Sequence, residues 1–120
     1  MRNVALLVFC WIACALGPAG AHALLDHSQP AEGSTVAASP AQVVLWFTER
    51  IEPDFSRVEV SDASGARLDK GDSRGDRSDP TTLLVSVAKL PPGTYRVHWK
   101  VLTADTHTAE GEFRFRVAAQ

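Results

Sequence analysis

The sequence predicts an all-β domain built as a two-sheet sandwich, and three observations lead there. Apolar residues recur with a period of two rather than 3.6, turn signals divide the chain into short segments, and no segment has the length and period of an amphipathic helix.

Taken in order, a first strand is expected near Ala23 to Ser28, ended by the turn residues Pro30-Ala31-Glu32-Gly33. Val43, Leu45 and Phe47 then alternate with Val44, Trp46 and Thr48, which suits a strand covered to some extent on both faces. Val58 and Val60 alternate with Arg57 and Glu59, the pattern of a half-exposed strand. The turn Asp62-Ala63-Ser64-Gly65 leads to a short strand around Ala66 to Leu68. Asp69 to Pro80 is rich in Asp, Gly, Ser and Arg and lacks apolar residues, so it reads as a solvated loop; the Arg74-Gly75-Asp76 tripeptide inside it is assigned no function. Leu83, Val85 and Val87 resume the alternation. After Pro91-Pro92-Gly93, Tyr95, Val97, Trp99 and Val101 point one way while Arg96, His98 and Lys100 point the other. Phe113, Phe115 and Val117 face inward against Glu112, Arg114 and Arg116 and close the chain. About seven short strands in one small domain argue for an immunoglobulin-like sandwich with Greek-key connections, with a small closed barrel as the alternative.

Residues 1–21 stand apart from this pattern. Arg2 precedes an almost wholly apolar run, Val4 to Leu16, and Gly17-Pro18 is followed by the small residues Ala19-Gly20-Ala21. A short apolar run with one basic residue before it and small residues after it is the pattern of a cleaved secretory signal, and it is shorter than the roughly 20 residues a membrane span needs. A lipoprotein signal at Cys14 would want a branched aliphatic residue where Trp11 stands. The expectation is therefore a signal peptide over 1–21, a mature domain over 22–120 that starts at His22, and a periplasmic location. That domain has 99 residues and no sulfur, because Met1, Cys10 and Cys14 all precede it. It can form no disulfide and offers no thiolate or thioether to a soft metal. Its 11 basic and 14 acidic groups give a net charge of −3 with His neutral, which argues against nucleic acid as a partner.

Four histidines occur, at 22, 27, 98 and 107. An amino-terminal His22 would offer two nitrogens, its α-amine and its ring Nδ1, in one chelate. Asp105 and His107 lie two apart in the polar loop Ala104-Asp105-Thr106-His107-Thr108, and an extended segment puts such side chains on one side. Singly, His107 reads as a solvated loop residue and Asp105 as a turn former. With His22 they complete a set of three nitrogens and one oxygen, which among common divalent ions favours tetragonal Cu(II). His27, before the Ser28-Gln29-Pro30 turn, and His98, on a polar strand face, read as surface residues.

The opening His22-Ala23-Leu24-Leu25 with Ser28-Gln29-Pro30-Ala31-Glu32-Gly33, the run Val44 to Glu49, the run Leu90 to Trp99, and Ala104-Asp105-Thr106-His107 leading to Gly111 and Phe113 together resemble the CopC-type periplasmic copper-binding proteins. The likeness covers essentially all of 22–120. It implies a seven-stranded sandwich that binds one Cu(II) per mature chain through the amine and ring of His22, with Asp105 and His107 completing the site. Glu49 falls where the family carries an acidic residue close to copper, and would act by orienting ligands; otherwise it is an exposed carboxylate at a strand end. Two departures stand out. The Met-rich loop that holds Cu(I) in some members has no counterpart, so no Cu(I) site is expected. Thr106 occupies the place of a common Gly, although Gly alone visits positive φ freely.

The function expected is Cu(II) binding for copper resistance or homeostasis, by sequestering the ion or delivering it to a membrane copper transporter or a periplasmic copper protein, with no substrate turnover. Two alternatives belong to other classes. An N-terminal histidine chelate also serves copper-dependent oxidative enzymes such as lytic polysaccharide monooxygenases, but 99 residues leave little room for a substrate surface and a bound carboxylate would fill a position that oxygen chemistry prefers open. A metal-free secreted immunoglobulin-like module is the other, since the fold alone does not decide function.

Overall fold

The computed structural model describes residues 24–119, so the signal-peptide segment and His22 lie outside the described residues. The described residues form eight strands: β1 (Leu25–Gln29), β2 (Thr35–Val36), β3 (Gln42–Phe47), β4 (Arg57–Asp62), β5 (Arg74–Asp76), β6 (Asp79–Ser86), β7 (Gly93–Leu102) and β8 (Thr108–Val117). A 3-10 turn, Pro53–Phe55, lies between β3 and β4. One sheet has the order β1-β3-β6-β5 and the other β2-β8-β7-β4. All pairings are antiparallel except that of β2 with β8. The chain passes between the sheets after each of its first four strands, and the two separate sheets make the expected sandwich rather than the closed barrel kept as its alternative.

The inward faces are the ones the period of two picked out. Val43, Leu45 and Phe47 of β3 and Leu83 and Val85 of β6 meet Val58 and Val60 of β4, Tyr95, Val97, Trp99 and Val101 of β7, and Phe113, Phe115 and Val117 of β8. Trp99 meets Phe47 edge to face across the sheets, with ring centroids 5.2 Å apart at 69°. Its indole also lies over Gly111, its partner on β8, where a Cβ would stand 2.4 Å from Cζ2. Tyr95, buried on the same face, donates its hydroxyl to the carbonyl of Pro91 and ties the start of β7 to the preceding turn. Burial pushes the Tyr95 phenol above its ordinary pKa.

Two expectations need correction. The segment 69–80 is no free loop: it contains β5 and the start of β6. Carboxylates supply the order that apolar residues do not. Asp69, whose side chain has no solvent exposure, accepts from Val60 N–H at 2.9 Å, Gly71 N–H at 3.1 Å and the Arg67 guanidinium at 2.7 and 2.8 Å. Burial alone would raise the Asp69 carboxyl, but these donors outweigh it and hold it below its ordinary pKa. Asp72 accepts from Ser86 N–H and from Arg74, so Arg74-Gly75-Asp76 is an edge strand held against β6, with Gly75 under the Pro53 ring. The second correction concerns Ala66 to Leu68. These residues cross between sheets, and only single bridges form, Arg67 with Ser61 and Asp69 with Val87.

The contact of Trp99 with Gly111 makes a direct prediction. Gly111→Ala must push the indole or spread the β7–β8 pair, at a cost of about 1–3 kcal/mol. The midpoint of denaturant unfolding reads this; an unchanged midpoint would show that the pair yields freely.

Candidate metal centre

The site grows out of the end of β7. The inward alternation Tyr95, Val97, Trp99, Val101 continues to Thr103, which is 2% exposed and so carries a hydroxyl at a core-facing position. The chain then reverses through three residues. Thr106 N–H donates to Thr103 O at 2.9 Å, and Thr103 N–H donates to His107 O at 2.8 Å, closing the loop onto β8. Three-residue hairpin loops need a left-handed residue at their end, ordinarily glycine. Thr106 takes that conformation, with φ 73°, although a β-branched residue there is an outlier.

The reversal brings Asp105 and His107 together, with Asp105 Oδ1 and His107 Nδ1 3.1 Å apart. Their convergence comes from a tight turn, not from the extended segment expected on spacing alone. Both groups face solvent, with side chains 61% and 82% exposed respectively. The separation approaches the roughly 2.8 Å between neighbouring donors at right angles around an ion with bonds of about 2.0 Å. The Thr103 hydroxyl donates to Asp105 Oδ1 and accepts from His107 N–H at 3.1 Å. The Thr103 hydroxyl and then the His107 ring hold the Asp105 carboxyl below its ordinary pKa. The loop therefore presents an ionised oxygen donor beside an imidazole.

Two donors do not enclose an ion, and among the described residues no group of three or more His, Cys, Asp or Glu converges to hold a metal. What the fold adds is the position of Leu24, the first described residue. Thr48 N–H donates to Leu24 O at 2.7 Å, and Ala104 N–H donates to Arg50 O at 2.9 Å. The segment after β3 is thus bonded on one side to Leu24, two residues from His22, and on the other to the Asp105–His107 loop. Glu49 lies between these two links; it is exposed, and its carboxylate makes no hydrogen bond or ion pair with a described residue.

The other histidines lie elsewhere. His27 stacks on Trp46, with centroids 4.4 Å apart and planes within 7°, and its Nδ1 meets Asp26 Oδ2 at 2.6 Å. His98 lies on the outer face of the second sheet, with Nε2 3.2 Å from Glu110 and Nδ1 4.0 Å from Glu59. Thr103 is the site residue that reading the sequence did not single out. Its signal was there: a hydroxyl falls at a core-facing position one step beyond Val101, where an apolar residue would continue the pattern.

Comparison with known proteins bears on this geometry. Residues 25–118 match the CopC domain family. The chain is 36% identical over 107 residues to copper resistance protein C of Pseudomonas syringae pv. tomato, covering 82% of each chain. It is 33% identical over 124 residues to copper resistance protein C of Xanthomonas campestris pv. juglandis, covering 97% of this chain and 96% of that one. The crystal structure of CopC from Methylosinus trichosporium OB3b superposes with a TM-score of 0.75 at 33% identity, over 79% of this chain and 92% of that one. A two-sheet sandwich with Asp105 and His107 paired on the loop after β7, matched to that domain over nearly all its described length, belongs to the CopC family, whose members include copper resistance proteins.

Proposed function

We propose that the protein is exported to the periplasm, cleaved after Ala21, and binds one Cu(II) ion through the α-amine and ring of His22, the carboxylate of Asp105 and the imidazole of His107. One observation carries this reading: the exposed Asp105–His107 pair lies on a loop that Arg50 and Thr48 link to Leu24. From Leu24, two residues span at most about 7 Å, so the reading requires residues 22 and 23 to run toward the loop. The donor chemistry supports Cu(II): three nitrogens and one carboxylate oxygen suit a tetragonal ion, and 22–120 contains no sulfur for Cu(I). Glu49, between the two links, orients the ligands from the rim of the site. Such a site is a binding device without turnover. It sequesters copper or hands it to a membrane transporter or another periplasmic copper protein, in resistance or homeostasis.

Competition titration of Cu(II) against a chelator tests the ligand set. Replacing both His22 and His107 by Ala should weaken binding at least about 100-fold, about 2.7 kcal/mol; unchanged affinity would refute the site. Binding should also fall as the pH drops from about 8 to about 5, because nitrogen ligands must shed their protons to bind. Asp105, held low, stays ionised across that range. Flat affinity over this window would contradict a nitrogen-rich site.

The left-handed Thr106 generates a separate expectation. Thr106→Gly relieves a conformation that costs an L-residue about 1–2 kcal/mol, against about 0.5–1 kcal/mol of added chain entropy in the unfolded state. The variant should unfold at equal or slightly higher denaturant and keep its copper affinity. A clear fall in midpoint would show that Thr106 bears no strain.

A further inference from the structure

We propose that Thr103 is the positioning residue of this centre: its buried hydroxyl locks the Asp105 carboxylate and the His107 main chain into one arrangement before an ion arrives. The inference rests on the copper reading above and adds to it a residue that touches no metal.

The hydroxyl has one proton to donate and two lone pairs to accept with. It accepts His107 N–H at 3.1 Å and faces two acceptors, Asp105 Oδ1 and His107 O, the latter also at 3.1 Å. An ionised carboxylate is the stronger acceptor, so the proton goes to Asp105. His107 O loses nothing by this, since Thr103 N–H already serves it at 2.8 Å. One atom thus restrains the first ligand by its side chain and the second by its backbone. The atom itself cannot wander, because Thr103 is 2% exposed and anchored in the strand that carries Trp99 and Val101.

This has a consequence for selectivity. The hydroxyl takes one lone pair of Oδ1 and fixes that atom beside His107 Nδ1, so Asp105 is oriented to bind through this one oxygen by its second lone pair. That suits an ion with few, directional in-plane bonds, and it disfavours Ca2+, which takes six to eight oxygens and often both of a carboxylate. Without the hydroxyl, Asp105 keeps only its contact with the His107 ring, which an incoming ion must replace, and must be ordered at the moment of binding. Removing a group that orients a metal ligand in this way typically weakens affinity about 10- to 100-fold.

Four proteins starting at His22 make the test: the unsubstituted chain, Thr103→Val, Thr103→Ser and His107→Ala. Each is titrated with Cu(II) against a competing chelator, its electron paramagnetic resonance spectrum recorded and its metal-free melting temperature measured. Thr103→Val keeps the side-chain shape and loses the hydroxyl. It should bind about 10- to 100-fold more weakly and give more than one spectral species, while Thr103→Ser stays close to the parent in affinity and spectrum. A folded Thr103→Val that binds like the parent with one parental spectrum, while His107→Ala is impaired, would overturn the positioning role and leave the copper site standing. If Thr103→Val does not fold, Thr103→Ser decides: a folded Ser variant that has lost parental affinity shows that the hydroxyl is not the operative group. His107→Ala binding like the parent would overturn the copper reading and the inference with it.

Discussion

The site depends on two backbone hydrogen bonds at the end of β3. Thr48 N–H holds Leu24, Arg50 O holds Ala104, and Thr48 and Arg50 are two apart in the chain. Because β3 is the second strand of one sheet and β7 the third of the other, this short segment is where the beginning of the domain and the β7–β8 loop become neighbours. Strand alternation alone would build the sandwich without linking Leu24, through Thr48 and Arg50, to the loop of Asp105 and His107. The sandwich supplies a rigid frame, and these links decide which loose ends it brings together.

Much of the fold was legible in the sequence because a period of two leaves little choice once one face is buried: a one-residue slip would expose every core side chain of a strand. Tyr95, Val97, Trp99 and Val101, and Phe113, Phe115 and Val117, lie where the alternation put them. The misreading of 69–80 has a physical cause. Asp69 and Asp72 look like turn formers, and composition cannot tell a carboxylate that solvates a loop from one that accepts main-chain N–H groups of a neighbouring strand. The expected strand at Ala66 to Leu68 failed for a related reason, since its apolar residue serves a crossing between sheets rather than a ladder.

The candidate centre was legible to a different degree. Asp105 and His107 could be named from spacing, and the structure brings them to 3.1 Å, but the turn that does so runs through a left-handed Thr106 that the extended-segment argument does not contain. Thr103 went unnoticed because a lone threonine after a run of core residues is common, and only the register shows that its hydroxyl faces the core and must find partners there. His22 lies outside the described residues, so its part in the centre rests on ligand chemistry and on the reach from Leu24. In the proposed centre, the exposure of Asp105 and His107 would let an ion be taken up and released by exchange, where a buried cage would retain it.

The most direct test of the account is the electron paramagnetic resonance spectrum of Cu(II) added to protein beginning at His22, compared with protein carrying one glycine before His22. The extra residue turns the amine into an amide and alters nothing else that the account uses. The account predicts one tight, nitrogen-rich tetragonal centre in the first protein and a much weaker, altered one in the second. Equal binding and identical spectra in both would contradict an amino-terminal copper site and leave the Asp105–His107 pair without its proposed role.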